Sequence, residues 1–173
     1  MKKKLRKKYA IVRRNIHNRS TKNEIIYDKV LNSRVIKNAS IILIYVSTNY
    51  EVDTLKLIKY FLEVGKKVAV PKVLGDYMNF YFISSLKDLA KGYMNIYEPI
   101  TDALVVSFKE CVSITPGIAY SLDGYRIGYG KGFYDKFYRK NKIYSIGLCY
   151  KECLIADKFC DEFDEPVSEI ITD

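Results

Sequence analysis

The chain has 173 residues, enough to bury a real core; 49% are hydrophobic, with nine glycines and four prolines. This composition excludes a disordered tail and leaves a folded globular protein. The formal charge of +9 favours anionic partners, but much of the excess lies in the first 19 residues, MKKKLRKKYAIVRRNIHNR, which weakens a general nucleic-acid reading.

The basic start runs into more charge instead of an apolar stretch, so it does not read as a signal peptide. The longest strongly apolar run, IILIYV from Ile41 to Val46, is too short to span a bilayer. A soluble, cytoplasmic, monomeric protein without membrane contact is expected. Cys111, Cys149, Cys153 and Cys160 include no C-x-x-C pair, and His17 is the lone histidine. That argues against a zinc site and against Ser–His or Cys–His catalysis, and favours free thiols in a reducing compartment.

In chain order, Leu5, Tyr9, Val12 and Ile16 recur at helical spacing and predict a helix over 2–18 with Lys and Arg on its other face. Thr21 and Glu24 have capping-box spacing, and Ile25, Ile26, Val30 and Leu31 extend a second helix to about Asn38. ASIILIYVS (39–47) reads as a buried parallel strand. Asp53 is placed to cap a helix carrying Leu55, Ile58 and Leu62, which ends at Gly65. KKVAVPKV (66–73) is the next strand and completes a βαβ unit with a right-handed crossover. MNFYFI (78–83) is a strand and SSLKDLAKG a short helix. ALVVSF (103–108) and VSITPG (112–117) are strand-like, as are IYSIGLCY (143–150) and SEIITD (168–173). The whole predicts one α/β domain with a helix-flanked sheet.

GYRIGYGKGFYDKFY, from Gly124 to Tyr138, carries the chemistry. A strand, a glycine loop and a helix N-terminus in succession can cradle phosphate, because N–H groups point at the anion and the helix dipole favours it. Lys131 and Arg126 add charge. The loop fits neither Walker A, since no Ser or Thr follows Lys131, nor the dinucleotide fingerprint, which comes early in a chain. A surface hairpin with turn glycines is the structural alternative. Asp135 reads either as a first-turn acid that stabilises the helix or as a Mg²⁺ ligand beside phosphates.

Several stretches together resemble one family, the 5-formyltetrahydrofolate cyclo-ligases. KKKLR (Lys2–Arg6) is similar to its N-terminal K-x-x-L-R, and EVDT (Glu51–Thr54) to its substrate-binding segment. VAVPKV and IYEP match two shorter segments. PGIAYSLDGYRIGYGKGFYDKFY resembles the family signature, and IGLCYKE and FDEPVSEIITD its last strand and C-terminal segment. The resemblance implies a single-domain three-layer α/β/α sandwich over 1–173, with a mostly parallel Rossmann-like sheet. It also implies ATP-dependent conversion of 5-formyltetrahydrofolate to 5,10-methenyltetrahydrofolate, through a phosphorylated imidate, with Mg²⁺ as cofactor and ADP and phosphate as products.

By carry-over, Lys131, Arg126 and Tyr134 are the catalytic group. ATP meets Lys2, Lys3, Lys4, Leu5 and Arg6 of the first helix, and Arg126, Ile127, Gly128, Tyr129, Gly130, Lys131, Gly132, Phe133 and Tyr134 of the loop. Val46, Glu51, Tyr129 and Phe133 meet the folate, and Asp135 and Asp164 hold the metal. Phe133 stands where many members have tyrosine, Phe163 where they have histidine, and Ser168 where a second aspartate is common. The rival readings are a small basic nucleic-acid-binding protein and another ATP-dependent α/β enzyme using the same loop.

Overall fold

A computed structural model of the chain describes residues 1–92 and 96–173. Continuous apolar, β-branched runs form the middle of its sheet. Strand β1 (Ile41–Ile44) lies between β2 (Lys67–Leu74) and β6 (Cys111–Thr115), parallel to both. Beyond β6 come β9 (Tyr144–Leu148) and β11 (Glu169–Ile171), also parallel, while β3 (Tyr77–Ile83) closes the other edge antiparallel to β2. The order is β11-β9-β6-β1-β2-β3. Two small sheets sit beside it: β10 (Leu154–Ile155), β7 (Ala119–Ser121) and β8 (Arg126–Ile127), and the pair β4 (Leu89–Lys91) with β5 (Tyr97–Pro99).

Side chains alternate across β1 and are buried on both faces. Ile42 and Ile44 join Ile26 and Val30 of α2 (Arg19–Asn32), Ile36 of α3 (Arg34–Asn38), and Leu57, Ile58 and Phe61 of α4 (Leu55–Glu63). Leu43 faces the other way, onto Phe80 and onto Phe137 and Tyr138 of α5 (Phe133–Lys140). These are the expected three layers around a mostly parallel sheet. Helix α1 (Lys2–Arg14) docks Tyr9 onto a third cluster that includes Ile118, Tyr120, Ile127 and Phe159.

Five expectations need correction. Helix α1 ends at Arg14, and α2 begins at Arg19 on a left-handed Asn18, so Thr21 and Glu24 lie inside the helix and form no capping box. Ser33 turns extended and divides α2 from α3. Leu86–Asp88 makes a single 3₁₀ turn, capped by a box between Ser85 and Asp88, because the next residues, Leu89–Lys91, leave it to pair as β4 with β5. Segment 103–108 is no strand: Leu104 forms one bridge to Tyr81, and Ala103 and Val105 share backbone bonds with the β3 edge. Asp53 does act at its helix start, accepting from the Leu55 N–H at 3.0 Å, although Thr54 is the N-cap residue. All four cysteines are free, three of them buried. Among the described residues no helix is long and apolar enough to cross a membrane.

Candidate active site

From β1 the chain crosses through α4 to β2 on one side, while β6, β9 and β11 extend the sheet on the other. The order therefore reverses between β1 and β6. In open α/β sheets, ligands bind outside the carboxyl ends of the strands at such a switch point. Two segments leave the sheet there: residues 45–54 after β1 and 116–118 after β6.

Internal hydrogen bonds brace the first segment. Thr54 Oγ1 donates to the Tyr45 carbonyl at 2.6 Å and accepts from the Ser47 N–H at 3.0 Å, and Tyr45 Oη donates to the Val52 carbonyl at 2.9 Å. The brace presents Glu51, only 8% exposed. Its Oε2 accepts from Thr48 N–H and Oγ1 at 2.8 and 2.9 Å, and its Oε1 accepts from Tyr129 Oη at 2.7 Å. Tyr129 Oη also accepts from Arg13 Nη2 at 2.9 Å, and Arg13 Nη1 donates to the Gly117 carbonyl at 3.2 Å. Burial pushes the Tyr129 phenol up to about 12; the Glu51 carboxylate adds to the shift and Arg13 opposes it. One chain of bonds thus joins α1, both segments leaving the sheet, and the glycine loop.

That loop turns at Gly130 (φ +99°) and at Gly132 (φ +67°), the N-cap of α5, a backbone region that costs other residues strain. Arg6 lies over it: its Nε donates to the Gly128 carbonyl at 2.7 Å, and its guanidinium carbon is 3.3 Å from where a Cβ on Gly130 would stand. Lys131 is exposed and makes no hydrogen bond or ion pair among the described residues.

Asp135 stands in the first turn of α5 and is tied to the segment that carries Asp164. Asp135 Oδ1 accepts at 3.1 Å from the N–H of Glu165, thirty residues away and next in the chain after Asp164. Lys2 Nζ pairs with Asp164 and, at 2.7 Å, with Asp161. Two carboxylates joined by phosphate oxygens make a donor set suited to Mg²⁺. Cations of the chain itself pair with both acids, Lys2 with Asp164 and Arg126 with Asp135.

Arg126 departs from its expected place. It is 7% exposed, pairs through Nη2 with Asp135 at 2.5 Å, and donates through Nη1 to the Glu165 carbonyl at 3.0 Å, so its guanidinium is turned toward the acid rather than the open loop. Ile127 and Val46 are core residues, and Leu5 and Phe133 are half-buried packing residues. Lys3 and Lys4 project into solvent. Tyr134 packs edge-on against Phe80, and its hydroxyl is buried without a partner among the described residues. Burial, the largest cause, holds that phenol well above its ordinary range. Arg13 was not anticipated. The available signal was its position seven residues after Arg6, two turns along the same helix face.

A doubly wound α/β sheet with a buried carboxylate, a glycine loop and a basic helix meeting at its switch point defines a small-molecule α/β enzyme. The model of the 5-formyltetrahydrofolate cyclo-ligase family matches residues 1–173, and the chain belongs to this family. It is 30% identical to the 5-formyltetrahydrofolate cyclo-ligase of Escherichia coli K12, over 78% of each chain. It is 27% identical to a probable 5-formyltetrahydrofolate cyclo-ligase of Caenorhabditis elegans, over 86% of this chain and 80% of that one. Among solved structures it resembles 5,10-methenyltetrahydrofolate synthetase of Aquifex aeolicus, with a TM-score of 0.86 and 28% identity over 98% of this chain and 88% of that one. The Mycoplasma pneumoniae synthetase shares the fold, with a TM-score of 0.74 at 23% identity over 99% and 98%.

Proposed function

We propose that the protein cyclises 5-formyltetrahydrofolate to 5,10-methenyltetrahydrofolate with consumption of ATP and release of ADP and phosphate. The observation that carries this reading is the chain of bonds from Arg13 through Tyr129 to Glu51, which joins a carboxylate suited to pterin N–H groups to a glycine loop suited to phosphate. The two substrates thereby share one crevice. The formyl oxygen attacks the γ-phosphorus, the bond to the β-phosphate bridge oxygen breaks and ADP leaves. N10 then attacks the activated formyl carbon, its proton passes to the departing phosphate or to solvent, and the C–O bond to phosphate breaks.

A formyl oxygen is a weak nucleophile, so alignment and charge neutralisation supply most of the acceleration. The N–H groups at the start of α5 and the unpaired ammonium of Lys131 receive the γ-phosphoryl oxygens, and Arg6 covers the loop from α1. Asp135 and Asp164 would hold Mg²⁺, which supplies further neutralisation of the phosphates. Arg126 is read as a positioning residue that aims Asp135. The Tyr134 hydroxyl, buried without a partner, is available to the transferring group or the formyl oxygen.

The test is to mix the protein with 5-formyltetrahydrofolate, MgCl₂ and ATP and follow the near-UV absorbance of the methenyl product. The expected result is product with ATP and none without it. Folded protein that gives no product in either case refutes the reading.

A further inference from the structure

Arg13 is the one charged residue of α1 that is buried, at 7% exposed. Its guanidinium faces no carboxylate directly, and its Nε is buried without a partner among the described residues. A desolvated cation with an open donor is costly unless a ligand completes its bonding. The group that now stands between Arg13 and Glu51 is the Tyr129 hydroxyl, which donates to Glu51 Oε1 at 2.7 Å and accepts from Arg13 Nη2 at 2.9 Å.

One small group thus presents a donor to the carboxylate and an acceptor to the guanidinium, side by side. The lactam edge of a 4-oxo pterin, N3–H beside C4=O, presents the same two functions in the same order. Tyr129 is suited to giving up that place. It is 57% exposed as a residue and stands between Gly128 and Gly130 on the loop, and a rotation there would withdraw its hydroxyl. Glu51 would then regain an open Oε1, while Oε2 stays held by Thr48.

We propose that Arg13 is a substrate-binding residue: Glu51 accepts from N3–H of the pterin, Arg13 donates to the 4-oxo group, and the Tyr129 hydroxyl fills their place in the free protein. This rests on the folate reading of the site. It adds a specificity-determining contact, since a site built to donate to a carbonyl discriminates against a 4-amino group, which presents N–H instead.

The experiment is titration calorimetry of the nucleotide-free protein with 5-formyltetrahydrofolate and with its 4-amino analogue. The unaltered protein is expected to bind the 4-oxo compound at least tenfold more tightly. Arg13→Gln, whose amide oxygen can accept from the 4-amino group, should cut that ratio to about threefold or less, and Arg13→Lys should keep part of it. Tyr129→Phe, which removes the competing hydroxyl and keeps the ring, should tighten both ligands by about threefold to tenfold, the scale of one net hydrogen bond. Equal losses for both ligands in Arg13→Gln would mark a merely structural arginine and overturn the inference. If the Arg13 variants do not fold, Tyr129→Phe decides alone: weaker binding would mean that the hydroxyl belongs to the ligand site instead of blocking it. Binding and turnover without 4-oxo preference would overturn this inference alone. No binding by the unaltered protein would overturn the folate reading and this inference together.

Discussion

Lys131 and Arg126 sit five residues apart, Arg126 in β8 and Lys131 on the loop that follows it, and their surroundings divide their roles. Lys131 has its ammonium in solvent and no protein partner among the described residues, so its charge is available to an incoming phosphate. Arg126 is enclosed by Asp135, the Glu165 carbonyl and the rings of Tyr134 and Tyr138, each 5.7 Å from its guanidinium carbon. Lys131→Ala should lower turnover at least tenfold with ATP and leave the Kd for 5-formyltetrahydrofolate within about twofold, because the lost interaction strengthens as charge moves onto the phosphoryl group. Steady-state kinetics with calorimetry checks the split; near-normal turnover would contradict the phosphate role. The thiols make a second residue-scale case. Burial pushes Cys111 and Cys153 up to about 11, and Cys149 higher still. A raised pKa leaves little of the reactive thiolate below it, so these three stay protonated through neutral pH. A chromogenic disulfide reagent at pH 8 should modify the exposed Cys160 quickly in folded protein and the other three only after denaturant is added.

Among the elements, the middle of the sheet is the least forgiving part. Gly147 lies in β9 between β6 and β11, and a Cβ there would stand 2.5 Å from the Tyr120 ring. Tyr120 is fully buried and donates to the Thr115 carbonyl at 2.9 Å, so it has little room to give. Gly147→Ala should destabilise the protein by about 1–3 kcal/mol, the usual range for an overpacked core, read as a lower urea midpoint at unchanged m-value. Elements of this kind were readable from sequence because burial on both faces demands continuous apolar runs, as in IILI and KVAV. The strands β7, β8 and β10 were not, since two or three residues carry no measurable period and their pairing depends on distant chain. The break at Ser33 and the non-strand at 103–108 were hidden for the same reason: tertiary packing overrode local pattern. Of the residues proposed for the site, Glu51, the glycine loop and Asp135 stand out in the sequence through their motifs. Arg13 was not, because a lysine- and arginine-rich helix reads as a solvated face, and only the docking of α1 onto the cluster around Ile127 buries that one charge.

Over the whole molecule, the site is assembled from parts that meet through polar contacts beside the apolar seat of α1. Helix α1 reaches the acidic segment through Lys2, the glycine loop through Arg6 and Tyr129 through Arg13. Partly exposed ion pairs such as Lys2 with Asp161 hold a helix only weakly in water. A nucleotide that bridges the loop, α1 and the two acids would therefore stabilise the folded chain beyond any local effect. At one hundred times its Kd, a ligand that binds only the native state adds about 2.7 kcal/mol. For a chain of this length each kcal/mol raises Tm by about 2–4 °C, so MgATP should raise it by about 5–10 °C. Removing the metal with EDTA while keeping ATP at the same concentration should remove at least half of that gain, because the loop and lysines remain but Asp135 and Asp164 then repel the phosphates. Amide exchange on α1 should slow with MgATP more than exchange on β1, whose Ile42, Leu43 and Ile44 are already fully buried. An equal thermal shift with and without the metal would remove the two acids from the nucleotide site, and unchanged exchange on α1 would remove the helix from it.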